Sequence, residues 1–290
     1  MATWNLTWFK TWLHVFALLF ILQGLESAFA LQQRSQTYIG QYARDMLNEP
    51  SWDSKNPRDL TSRNQASPAS FRILGTGSST SVGTGSETGD GYRLELKNLL
   101  QDNGADVSFT GPFCNGTEGS NHAGEGGETI SGTKDRAVEN NGWKNFAPNV
   151  IIINAGSNNC ADDGKLKEEP GPPMKELLNA LLQTPNTVIL VALVHQVRIP
   201  ARNQCIKEVN EVIAEVASTY PSSTIRTVDL FNKLNLATEE YHDCIHVNDA
   251  GYKKMAKIYY DTLLDMDVSE PSPNADPASC DAAGGTDKDN

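Results

Sequence analysis

"RILGTGSSTSVGTG", residues Arg72 to Gly85, is an apolar run that ends in glycines and hydroxyl side chains. Several α/β folds open this way, and the chemistry of the turn decides which one is built. A dinucleotide-binding turn needs a third glycine where its helix packs on the strand, and an acidic residue ending the second strand to hold the ribose. Here Thr80 takes the glycine position, and the second strand candidate runs out in "SFTGP". A phosphate-cradling P-loop needs Gly-Lys-Ser/Thr, and no lysine occurs from Arg72 to Leu96. What survives is a serine just past the carboxyl end of a first strand, where open α/β sheets place their ligands. Ser78, Ser79 and Ser81 are all available.

Downstream, apolar runs alternate with helix-period segments, the pattern of an α/β domain with a parallel sheet. The strand candidates are Phe71 to Gly75, Asp106 to Thr110, Val150 to Ala155, Thr187 to Leu193 and Thr224 to Asp229. The third and fourth are nearly continuous Ile, Val and Leu, as central strands covered on both faces require. Between them, Tyr92, Leu96, Leu99 and Leu100 make an apolar helix stripe stopped by Asn103-Gly104. Pro173 is expected to open a helix carrying Leu177, Leu178, Leu181 and Leu182. Ile206, Val209, Ile213 and Val216 mark another, and a last helix is expected from about Ala250 to Leu264 with Tyr252, Met255 and Tyr259 inward. One domain, residues 71–266, accounts for all of these.

The ends read differently. Lys10, an apolar core from Val15 to Leu22 and Ala28-Phe29-Ala30 have the form of a secretory leader over residues 1–30. A membrane anchor is the rival, but a spanning helix needs roughly 20 apolar residues and this core is far shorter. Residues 31–70 are polar and aperiodic, as in a linker or propeptide, and residues 267–290 form an acidic Ser/Pro/Gly-rich tail expected to be disordered. A secreted chain makes its five cysteines disulfide candidates, and an odd count leaves one over, for which Cys280 in the tail is the expectation. A bridge among Cys160, Cys205 and Cys244 is plausible, since each follows a strand candidate. Asn115-Gly116-Thr117 is a glycosylation acceptor. A net charge of −12 without a basic patch argues against a nucleic-acid partner.

A serine hydroxyl is a weak nucleophile near neutral pH, so it needs a general base, usually a histidine that a carboxylate orients. Outside the leader only His122, His195, His242 and His246 remain, and "YHDCIHVNDAGY" puts Asp243 three residues before His246 in the loop entering the last helix. One short loop can then supply base and carboxylate at the sheet edge that carries the serine. The plainer alternative is that Asp243 caps the helix. His242 is expected at the surface, and His195 as a bonded strand-end residue.

"GTGSS", "HAGEGGETI", "NVIIINAGSNN" and "DCIHVNDAGYKKMA" resemble, in order and spacing, the four blocks of the SGNH (GDSL-type) hydrolases, from about Phe71 to Leu264. "DGYRLELKNLLQDNGADVSFTGP" is similar to the carbohydrate-esterase branch that includes acetylxylan esterases. The resemblance implies a flavodoxin-like three-layer α/β/α domain with a five-stranded parallel sheet. By position it implies Ser79 as nucleophile, with Asp243 and His246 completing a Ser-His-Asp triad. The oxyanion hole it implies is the backbone N–H of Ser79, the backbone N–H of Gly127 and the side-chain amide of Asn158. No metal and no organic cofactor is implied, and the expected partner is an acylated polysaccharide or a small ester outside the cell, without stable membrane association.

The blocks also depart from the pattern. Ser78 stands where the family usually has aspartate, Glu128 where this branch often has an aromatic, Asn159 where Asp commonly follows, and Val247 where proline often follows the histidine. Three functions remain open: a secreted esterase acting on acetylated carbohydrate, the same machinery acting on lipid or small esters, and a catalytically silent glycan-binding or host-interaction protein.

Overall fold

In the computed structural model, residues 70–117 and 121–273 are described. The chain runs β1 (Ser70–Gly77), α1 (Ser79–Val82), α2 (Tyr92–Asp102), β2 (Asp106–Thr110), β3 (Phe113–Cys114), β4 (Asn121–Gly124) and α3 (Ile130–Glu139). It continues β5 (Val150–Asn154), α4 (Gly171–Leu181), β6 (Val188–Leu193), α5 (Pro200–Ser218), β7 (Ile225–Asp229), α6 (Leu230–Lys233) and α7 (Asp249–Leu264). All five expected strands form, and their continuous apolar character follows from alternation between two cores. Ile73, Val150, Ile152, Val188 and Leu190 pack with Tyr92 and Leu96 of α2 and with Tyr252, Met255 and Tyr259 of α7. Leu74, Ile151, Ile153, Ile189 and Val191 point the other way, onto Ile130 of α3, Leu177 and Leu178 of α4, and Ile206 and Val209 of α5. Burying each such side chain is worth about 1.5–3 kcal/mol.

The long strands lie in the order β2-β1-β5-β6-β7, all parallel. This is the flavodoxin-like order, whose switch point falls between β1 and β5, where a crevice opens at the strands' carboxyl ends. The two strands approach so closely there that a Cβ on Gly77, whose φ is +120°, would sit 2.2 Å from Asn154 O.

The sheet exceeds the expected five strands. β4 pairs parallel with the end of β1 through Thr76 to Ala123 and Gly77 to Gly124, beyond where β2 leaves off, and β3 pairs antiparallel with β4. "NHAG" has neither an apolar run nor β-branched residues, so only the neighbouring strand reveals it. α4 starts at Gly171 rather than Pro173, with proline in its first turn. Nor does the tail peel away at 267: Ser269 O accepts from Asn149 Nδ2 (2.8 Å), Ser272 O accepts from Arg72 Nη1 (2.7 Å), and Val268 packs on the core. The leader, residues 31–69, residues 274–290 and Cys280 lie outside the described residues. Cys160 is bridged to Cys205 across 45 residues, while Cys244 is free and exposed. Among the described residues no helix is long and apolar enough to cross a membrane.

Among the described residues two histidines are buried, His122 and His195, at 3% and 4% exposure. Burial, aided by Arg93 and Arg136, pushes His122 down to about 3. Burial also takes His195 down to about 4, against the hydrogen bond to Ile245 O. The unfolded chain takes up these protons near pH ~6.5. Below that pH the unfolded state therefore binds more protons than the native state, and stability falls as pH falls toward 4 and then 3. For His195 the loss at pH 4 is on the order of 3 kcal/mol. Urea unfolding from pH 7 to 4.5 is expected to show a falling midpoint, with a shallower slope in His195→Gln; a flat wild-type profile contradicts it.

Candidate active site

The crevice at the switch point collects side chains from four separated segments. β1 ends at Gly77, and Ser78 N–H donates to Asn154 O of β5 at 2.9 Å, which bends the chain straight into α1. Ser79 is the first residue of that helix, so its N–H has no partner within the helix. Of the three candidate serines, Ser78 and Ser81 face inward: Ser78 Oγ donates to Asn154 O (3.3 Å) and Ser81 Oγ to Thr76 O (2.7 Å). Only Ser79 Oγ meets a histidine, 2.8 Å from His246 Nε2.

The histidine loop is shaped by its own aspartate. Asp243 Oδ1 accepts the N–H groups of Ile245 and His246, each at 2.6 Å, leaving Oδ2 to meet His246 Nδ1 at 2.8 Å. Burial pushes the Asp243 carboxyl up, but the hydrogen bonds from the His246 ring and from the two backbone N–H groups outweigh it and hold the group at about 2. Helix capping falls to Asn248 instead, whose Oδ1 accepts from Ala250 N and Gly251 N at 3.0 and 3.3 Å. Beneath the loop, His195 Nε2 lies 3.1 Å from Ile245 O and must donate to it, which fixes its tautomer. Tyr252 Oη donates to Thr84 O (2.7 Å) and Ser86 Oγ to Asp249 (2.6 Å), clamping this loop to the one that follows the serine. His242 is exposed, as expected.

On the other side of Ser79, Glu125 N–H donates to Gly77 O at 2.9 Å and brings residues 125–128 alongside the turn. Gly127 has φ +77° and a Cβ there would meet nothing within 4 Å, so the left-handed backbone itself calls for glycine. Asn158 Nδ2 donates to Glu128 O at 3.0 Å, which places the third block against the second. The 125–128 segment is thus tied to the end of β1 and Asn158 to that segment, while His246 meets Ser79 Oγ directly.

The unusual residues have visible partners. Glu128 forms a fork with Arg136, Oε1 to Nε at 2.5 Å and Oε2 to Nη2 at 2.6 Å. Arg136 also donates to Ala123 O (2.8 Å) and Gly77 O (3.4 Å), so the ion pair braces the turn. Asn159, fully buried, accepts Ile130 N–H at 3.1 Å and gives its amide to Glu168, where a second carboxylate would be repelled. Arg93, fully buried on α2, donates to Ser81 O and to Val82 O (3.2 Å), satisfying the end of α1. Arg93, Arg136, Arg202 and His195 brace the site; Arg93 falls in the stretch similar to the carbohydrate-esterase branch without having been singled out there, and the other three lie outside the four blocks. Asn115 is half-buried and its amide donates to Val82 O at 3.1 Å, so a glycan there would have to displace that bond. Among the described residues no three His, Cys, Asp or Glu side chains are grouped as a metal ion requires.

Residues 76–254 match the model of the GDSL-like lipase/acylhydrolase family. A family 3 carbohydrate esterase of Clostridium thermocellum is similar at 26% identity and a TM-score of 0.54, over 68% of this chain and 96% of its own. An acetyl xylan esterase shares the fold at 20% identity and TM-score 0.51, over 67% of this chain and 100% of its own. So does a lipolytic G-D-S-L protein of Veillonella parvula, at 20% and 0.50, over 68% and 100%. No curated protein matches the chain.

Proposed function

The chain belongs to the GDSL-like lipase/acylhydrolase family and is a carboxylic ester hydrolase, and from that premise we propose that it removes short acyl groups, acetyl foremost, from carbohydrates outside the cell by a serine mechanism. The observation that carries this reading is the unbroken chain from Asp243 Oδ2 to His246 Nδ1 and from His246 Nε2 to Ser79 Oγ, 2.8 Å at each step. His246 takes the hydroxyl proton as Ser79 Oγ attacks the ester carbonyl, and Asp243 holds the imidazole with Nε2 free to accept it. The carbonyl oxygen becomes an oxyanion, met by the N–H groups of Ser79 and Gly127 and the Asn158 amide, each donor worth roughly 3–4 kcal/mol in the transition state. Collapse expels the alcohol, which leaves with the proton from His246. Water then attacks the acyl-enzyme by the same route, releasing the acid and restoring the Ser79 hydroxyl.

Likeness to a carbohydrate esterase over nearly all of that protein supports the substrate class. Among the described residues the exposed large hydrophobics are Phe113, Val138 and Leu166, scattered over three segments, which favours a short acyl group over a chain needing a long apolar channel. The leader-like residues 1–30 and the Cys160–Cys205 bridge support export to an oxidising compartment.

A substrate series on the full chain tests it: nitrophenyl acetate, a nitrophenyl ester of a long fatty acid, and acetylated xylan. Acetate release from xylan and rates that fall with acyl length are expected. Rates that climb with length favour a lipid substrate, and binding to xylan without turnover favours a silent glycan-binding protein.

A further inference from the structure

We propose that Arg202 is a positioning residue for the oxyanion hole: it sets which end of the Asn158 amide faces the reacting carbonyl. The inference rests on the serine-esterase reading. Arg202 sits in the first turn of α5 with its side chain only 5% exposed. Its Nη2 donates to Ser157 O (2.9 Å), Ser157 Oγ (3.3 Å) and Asn158 Oδ1 (3.3 Å), and its Nη1 to Asp162 Oδ1 (2.8 Å). The Nε, buried as well, has no acceptor among the described residues.

An amide has two ends of opposite character, and only its NH2 end stabilises an oxyanion; the oxygen would repel it. The surroundings of Asn158 leave one choice. A guanidinium has donors only, so the end facing Arg202 must be the oxygen. The Glu128 carbonyl is an acceptor only, so it takes one hydrogen of the NH2 group. The second hydrogen is left for the substrate. The positive charge behind Oδ1 also draws electron density from the amide and strengthens that N–H as a donor.

The fold separates this role from simple anchoring. The Cys160–Cys205 bridge ties the same loop to the same helix three residues further on, so removing the guanidinium leaves the loop attached. Asn159, next to Asn158, is held independently by Ile130 and Glu168.

The test is a double-mutant cycle on the full chain with nitrophenyl acetate, comparing Arg202→Met, Asn158→Ala and the double variant, with urea unfolding of each. Arg202→Met is expected to lower kcat about tenfold or more with KM little changed, and to cost less than about twofold once Asn158 is already alanine. Arg202→Lys, which keeps the charge but loses the fork, is expected to fall between wild type and Arg202→Met. Equal kcat losses for Arg202→Met in both backgrounds, or a rise in KM alone, overturns the inference. If Arg202→Met does not fold, the cycle is run with Arg202→Lys under the same criterion. If Asn158→Ala by itself leaves kcat unchanged, the oxyanion-hole assignment has failed, a separate outcome from additivity.

Discussion

Ser79→Ala is expected to fold normally and to lose about 10⁴-fold or more in kcat/KM on nitrophenyl acetate. Folding survives because, among the described residues, the hydroxyl hydrogen-bonds only His246 Nε2, in a half-buried position. Neither neighbouring serine can substitute: Ser81 is fully buried with its hydroxyl given to Thr76 O, and Ser78, 3% exposed, is turned to Asn154 O. Residual activity then comes from His246 activating water beside the proposed oxyanion-hole donors. The unfolding midpoint should shift by less than about 0.5 kcal/mol equivalent. Turnover within tenfold of wild type in this variant would remove Ser79 as nucleophile and with it the proposed cycle.

Asp243→Asn is expected to lose on the order of 10³- to 10⁴-fold in kcat, with KM nearly unchanged. The new amide can offer its NH2 group to His246 Nδ1, which favours the tautomer carrying its proton on Nε2. That proton would face Ser79 Oγ, so the ring could no longer accept one. Loop geometry should persist, because His242 N–H still bonds His246 O at 2.9 Å and His195 still holds Ile245 O. In the wild type, Asp243, held at about 2, stays ionised at any pH where the enzyme is assayed. Its depressed value means it supports the native loop fully above pH ~4 and loses that contribution as pH falls toward 2. The deficit of the variant should therefore be the same at pH 5 as at pH 8. A near-wild-type kcat, or a deficit that disappears at low pH, would show that His246 is oriented by something other than this carboxylate.

The departures from the family pattern look different in place. Asn159 and Glu128 are each matched by a partner outside their block position: Glu168 nine residues on from Asn159, and Arg136 eight residues on from Glu128. An alignment column shows the lost residue but not the compensating one. Ser78 has no such replacement carboxylate; its backbone N–H and hydroxyl both go to Asn154 O.

Periodicity was enough to determine the α/β class and the five long strands, because each is decided within a few residues along the chain; Asp243 and His246 were legible as neighbours in one loop, but whether Asp243 oriented the ring or capped the helix was left open until Asn248 was seen to cap it. Whether the serine met that histidine and what the Asn158 amide faced were decided only by the folded sheet; local chemistry left three serines open, and only the family resemblance pointed to Ser79 before the hydroxyl contacts were seen. Ser79 and His246 lie 167 residues apart and touch because β1 and the loop before α7 open on the same crevice. The buried arginines that brace them, and the strand β4 whose residues carry no strand signal, exist as structural features only once neighbours from elsewhere in the chain supply acceptors and a hydrogen-bonding edge.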